Sequence, residues 1–223
     1  MEYRTIADTA LFRGINEQEM AAMLACLQAR ERSYARGAYI YREGETISAA
    51  GLVLSGEVHV EQTDVWGNTN LLADVGPGGL FAEAYACLPD TPSMVNVVAV
   101  QRSAILFLDT ARLLTSCSSA CLFHERLIRN LLAVLAGKNL ELTRKISHTA
   151  PRSIRERVMA YLSFESVSRG QYQFVIPFSR QQLADYLRVD RSALSNELSK
   201  MRREGLIDYR KNWFSLRVVQ GGK

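Results

Sequence analysis

Eight of the fourteen glycines fall between Gly37 and Gly79, separating short runs that are apolar or alternate apolar with polar. A chain punctuated this often reverses direction every few residues, which points to an antiparallel roll or barrel of the jelly-roll, cupin-like kind. Ala38–Tyr41, Gly51–Leu54, Glu57–Gln62, Asn70–Asp74, Val95–Val100 and Ala104–Leu108 read as its strands. Turns at Arg42-Glu43-Gly44, Trp66-Gly67-Asn68 and Gly76-Pro77-Gly78-Gly79 join them. Before the roll, Asn16 caps a helix with Met20, Met23, Leu24 and Leu27 on one side. After it, Asp109 caps a short helix.

A long helical stretch follows, from about Ala120 to Ser147. Cys117, Cys121, His124, Ile128, Leu131, Leu135 and Leu142 recur there at steps of three, four or seven, and Gly137 weakens the middle. Such a stripe pairs with a second copy of itself or packs on the roll, and separate stretches can do each. Ala150-Pro151 is the expected hinge, because a residue before proline avoids helical geometry. Three parts result: residues 1–119 as a roll with its N-terminal helices, 120–149 as a long helix and hinge, and 150–223 as a winged helical domain. The class is α+β.

The last part carries the functional signal. Ser179 caps one short helix with Gln182 as capping-box partner, and Leu183, Ala184 and Leu187 form its apolar face. After a tight turn, Asp190 caps a second helix that runs until Gly205, with Leu194, Leu198 and Met201 as its buried stripe. The opposite face presents Arg191, Ser192, Ser195, Asn196, Ser199 and Lys200, groups suited to base edges and phosphates. This is the pattern of a helix-turn-helix whose second helix enters the major groove of double-stranded DNA. Ser179, Arg180 and Gln181 begin the first helix and complete the expected contact set. LIDYRKNWFSLRV alternates around Lys211-Asn212 and reads as a two-stranded wing. Charge agrees: residues 150–223 hold fourteen Lys/Arg against seven Asp/Glu, residues 1–149 thirteen against sixteen.

Other classes find less support. No Gly-rich phosphate loop, nucleophile elbow or HExxH is present, so catalysis is not expected. No apolar run is long enough for a membrane span, and the N-terminus lacks the pattern of a secretion signal, so a cytoplasmic protein is expected. Four cysteines then argue against a disulfide framework.

With spaced glycines at Gly37, Gly44, Gly56 and Gly67, the turn VGPGGLFAEA, and SRQQLADYLRVDRSALSNELSKM, the chain resembles the CRP/FNR family of bacterial transcription regulators over essentially its whole length. The resemblance implies a homodimer zipped along the long helix, promoter binding by two recognition helices, and an effector pocket between roll and helix. It also implies contact with RNA polymerase if the protein activates. Glu83, Ser93, Met94, Asn96, His124 and Ile128 are the candidate effector contacts.

The departures matter equally. Members that bind cyclic AMP carry an Arg-Ser or Arg-Thr pair where Pro92-Ser93-Met94 stands, and no Arg occurs between Arg42 and Arg102. A cyclic phosphate needs a cation, so cyclic AMP is not expected as the effector. The bunched N-terminal cysteines of the iron–sulfur branch are absent, only Cys26 lying early, and Cys87 lacks the nearby His of haem-binding relatives. Cys117, Cys121 and His124 at i, i+4 and i+7, with Cys87, form a candidate soft-metal or thiol-redox site, or simply extend the apolar stripe. His59 and His148 read as ordinary strand and helix-end residues. The expected effector is therefore a small neutral or weakly polar metabolite, or a thiol or metal signal read at the top of the long helix. A rival reading is a ligand-binding subunit that docks on another protein, but the recognition face lacks the large apolar groups docking would use.

Overall fold

The computed structural model describes residues 6–88, 90–114 and 122–217. The chain divides into two compact units, Met1–Ala136 and Gly137–Lys223, which part inside the long helix at Gly137.

In the first unit, Asn16 caps α1 (Glu17–Cys26) through a reciprocal capping box with Glu19. Eight strands follow: β1 (Arg30–Tyr34), β2 (Tyr39–Tyr41), β3 (Ala49–Ser55), β4 (Val58–Thr63), β5 (Thr69–Val75), β6 (Leu80–Phe81), β7 (Asn96–Ala99) and β8 (Ser103–Asp109). They form two antiparallel sheets of four, in the orders β1-β8-β3-β6 and β2-β7-β4-β5. Six strands match the expected ones within two residues, whereas β1 and β6 do not appear in the sequence pattern. The short helices α2 (Glu83–Ala86) and α3 (Thr110–Leu114) flank β7 and β8 in sequence. Asp109 caps α3, its carboxylate accepting from the Arg112 amide at 3.1 Å.

Two cores lie on either side of the first sheet. Val53 and Ile105 face Val58, Phe81, Val97 and Ala99 between the sheets. Leu52, Leu106 and Leu108 face the helices, meeting Phe12, Met20, Leu27, Leu127 and Leu131. Adjacent residues of β3 and β8 thus serve opposite cores, as the two-residue period of a strand requires.

The long helix α4 (Leu122–Thr149) begins in this unit. Asn130 holds it to the N-terminal segment by donating to the Leu11 and Arg13 carbonyls at 2.8 and 2.9 Å. Its buried face is His124, Leu127 and Leu131, with Ile128 and Leu135 half-buried and Leu142 62% exposed. The expected stripe therefore packs only over its first half, and it omitted Leu127, which is fully buried.

The second unit packs α5 (Ile154–Arg169), α6 (Arg180–Leu187) and α7 (Arg191–Arg203) against a three-stranded sheet. That sheet is β9 (Gln173–Val175), β10 (Ile207–Arg210) and β11 (Trp213–Leu216), in the order β10-β11-β9. The wing hairpin turns at Lys211-Asn212 as read from sequence, and β9 adds a third strand. Val158, Leu162, Phe174, Leu187, Leu194, Leu198 and Phe214 form the core.

Candidate nucleic-acid interface and effector-site residues

The helix-turn-helix is built as its caps dictate. The Ser179 hydroxyl accepts from the Gln182 amide, and the Gln182 side chain accepts from the Ser179 amide at 2.8 Å. Arg188 takes the left-handed conformation that ends α6. The Asp190 carboxylate accepts the Ala193 amide at 2.8 Å and the Ser192 hydroxyl, which hold its pKa below the usual carboxylate range. Gly205, in the left-handed region, follows the end of α7.

Leu194, Leu198 and Met201 are buried, so the helix turns Arg191, Ser192, Asn196, Ser199 and Lys200 to solvent, with Ser195 half-buried. Among the described residues the Arg191, Asn196 and Lys200 side chains have no hydrogen-bond or ion-pair partner. The Ser195 hydroxyl, by contrast, donates to the Arg191 carbonyl at 2.9 Å. On the first helix, Gln181 is exposed and donates to Asp185 at 2.8 Å. Arg180 is half-buried: its guanidinium lies over the Tyr209 and Phe214 rings, at 5.0 and 5.7 Å, and donates to the Lys211 carbonyl at 3.2 Å. Burial lowers its pKa, and its position braces helix against wing.

Three features of this unit have no signature in the local sequence. Arg155 clamps α5 to α7, binding Glu197 at 2.6 Å and Glu204 at 2.7 Å. Arg157 donates to the carbonyls of Pro151, Leu187 and Arg188 at 2.8, 3.2 and 3.1 Å. His148, read from sequence as an ordinary helix-end residue, is 3% exposed within a cage of Tyr161, Phe164 and Tyr186.

In the roll, Glu83 is buried at the start of α2, behind Ala82 in the left-handed region. Ser93 is buried with its hydroxyl on the Val95 carbonyl at 2.8 Å, whereas Met94 is 64% exposed. Asn96 accepts from the Glu43 amide at 3.0 Å. His124 is buried and Ile128 half-buried on the long helix. Of the proposed metal quartet, Cys117 and Cys121 lie outside the described residues, and Cys87 is half-buried. Burial and the neighbouring Glu83 push the Cys87 thiol up, against thiolate formation. Among the described residues, the side chains of metal-ligand type that converge are Glu57, just before β4, His59 on β4 and Asp74 on β5, their ligand atoms within 4.8 Å of one another. The Asp74 carboxyl beside it raises the pKa of Glu57. Among the described residues no helix is long and apolar enough to cross a membrane.

A cyclic nucleotide-binding domain model matches residues 31–119, and a Crp-like helix-turn-helix domain model matches residues 156–220. The chain belongs to the CRP/FNR family. It is 27% identical to the cyclic AMP receptor protein of Thermus thermophilus, over 88% of this chain and 87% of that one. The crystal structure of Thermus thermophilus catabolite activator protein aligns with 25% identity and a TM-score of 0.51, covering 94% of each chain. CprK complexed with OCPA shares the fold with a TM-score of 0.59 at 17% identity, over 87% of this chain and 90% of that one. The chain is thus a Crp-like transcription regulator with a helix-turn-helix DNA-binding domain.

Proposed function

We propose that this family member acts as a homodimer on near-palindromic promoter sites and responds to a small neutral or weakly polar metabolite. The observation that carries the DNA reading is α7, where a buried Leu194-Leu198-Met201 stripe leaves Arg191, Asn196 and Lys200 exposed. Arg suits a bidentate guanine contact and Asn an adenine, while Lys200 suits a phosphate. The dimer reading rests on α4: Leu132, Leu142 and Ile146 are 61%, 62% and 64% exposed in the single chain. Their spacing continues the 3.5-residue period that two helices bury together. Two recognition helices related by a dyad read half-sites about 34–36 Å apart.

The Thermus thermophilus relative is named for cyclic AMP, but the residues here do not fit a cyclic phosphate. Ser93 is buried with its hydroxyl on the Val95 carbonyl, Met94 is exposed, and neither Lys nor Arg occurs between Arg42 and Arg102. A different effector still works by favouring one dimer geometry over another, since equal affinity for both shifts nothing. A gel shift on the upstream DNA of the protein's own gene, with and without cyclic AMP, tests both parts. Retarded, sequence-dependent complexes that ignore cyclic AMP support the reading. Absence of specific binding, or micromolar stimulation by cyclic AMP, overturns it.

A further inference from the structure

A cavity of about 300 Å³ opens in the roll, lined among others by Arg30, Arg32, Tyr34, Tyr41, Phe107 and Asp109. It lies where β1, an edge of the first sheet, meets β2, an edge of the second. Arg30, Arg32 and Tyr34 alternate along β1 and so share one face. Register sets that face: Arg30 stands opposite Phe107 and Arg32 opposite Ile105, a residue of the core between the sheets. Arg30 and Arg32 therefore stand on the inner face of a sandwich edge, where apolar residues are the rule, with their side chains exposed at the cavity mouth.

Among the described residues no carboxylate lies within 4.0 Å of Arg30 or Arg32. Asp109, the acid of the lining, is held instead by Arg112, through its amide at 3.1 Å and its guanidinium at 3.7 Å. The inner wall is aromatic. Phe107 meets Tyr34 and Tyr41 edge to face, with centroids at 6.2 and 5.9 Å. The Tyr41 hydroxyl donates to the Ala49 carbonyl at 2.8 Å, and burial raises its pKa well above the usual tyrosine value. The three rings are half-buried and give the cavity one flat, apolar side beside the two arginines.

We propose that this cavity binds a small planar carboxylate, its charge held by Arg30 and Arg32 and its ring seated against Tyr34, Tyr41 and Phe107. The volume is of the order that encloses a small ligand. Guanidinium forks match a carboxylate two-to-two, and flat aromatic walls favour a flat partner. The Asp109 carboxylate in the same lining disfavours a second negative charge, which selects a monoanion over a phosphate dianion. Such a ligand braces β1 against β2 across the open side of the roll. The site is separate from the Glu83–Asn96 segment, so this proposal stands apart from the effector reading above.

Benzoate titrated into the full-length protein, followed by calorimetry, provides the test, with benzamide, acetate and inorganic phosphate as parallel probes. Saturable benzoate binding is expected, with benzamide, acetate and phosphate all weaker. Arg30→Ala and Arg32→Ala should each weaken benzoate about tenfold to a hundredfold, as loss of a charged hydrogen bond does. Both side chains are exposed, so folding should survive, and circular dichroism checks it. Arg32→Lys keeps the charge without the fork and should recover only part of the affinity. Absence of saturable benzoate binding overturns the proposal and leaves the two arginines as guards of an exposed strand edge. So does benzoate affinity unchanged in the double Ala variant, or phosphate or acetate binding as tightly as benzoate.

Discussion

The Nδ1 of His148 lies 2.9 Å from the Tyr186 hydroxyl, inside a cage closed by Tyr161 and Phe164 at ring distances of 5.5 and 5.2 Å. Among the described residues its Nε2 has no hydrogen-bond partner. The end of α4 is thereby tied to α5 and α6 through one imidazole whose charged form burial disfavours.

Burial lowers the His148 pKa below its ordinary value of 6.5. The unfolded chain takes up this proton first as pH falls, so stability is undiminished above about pH 6.5 and declines as pH drops from there through the folded value. His148→Phe should remove that part of the pH dependence. Melting temperatures from about pH 8 to about pH 5 check it; parallel curves for the two proteins would refute it.

Gly51→Ala should destabilise the roll by about 1–3 kcal/mol or more, since the added methyl would sit 2.1 Å from the fully buried Phe81 ring. The backbone of Gly51 is not in the left-handed region, so the cost is steric. Phe81→Leu in the same chain should therefore return part of the loss. Urea unfolding of both single variants and the double variant measures the coupling.

These two sites differ in how far the sequence reveals them. Asn16, Ser179 and Asp190 were legible as caps because a cap acts within three residues of itself. β1 was not, since RERSY places charges where an alternating strand would show apolar residues, and its partner Ser103–Asp109 lies far along the chain. On α4, steps from His124 to Ile128 to Leu131 passed over Leu127, the centre of the buried face. His148 could not be read at all: its cage comes from Tyr161, Phe164 and Tyr186, which only the fold assembles. The exposed face of α7 follows from the Leu194-Leu198-Met201 stripe, whose helical spacing is local and so shows in the sequence.

Arg191→Ala should cost about 1–3 kcal/mol on the best DNA site and relax the preference at one base step. Lys200→Ala should weaken all sequences alike and reduce the salt dependence of binding by about one phosphate contact. Selection from random DNA at two salt concentrations separates them. An unchanged site logo for Arg191→Ala would show that another residue reads that base.

If the proposed homodimer is zipped along α4, Leu142→Glu should leave a monomer, because a charge placed at an apolar seam between helices is buried without a partner. Sedimentation at micromolar concentration reports the mass. Specific DNA affinity should fall with it, as two linked half-sites become one.

The Arg157 guanidinium grips Pro151 at one end and the turn residues Leu187 and Arg188 at the other. Mechanically this is a crank: the segment entering the DNA-binding fold and the corner that aims α7 cannot rotate independently. On the proposed effector response, a twist arriving through the residues before Pro151 would reach α7 through this contact. On the same proposal, Arg157→Met should leave a protein that still binds DNA while the effector no longer changes how well.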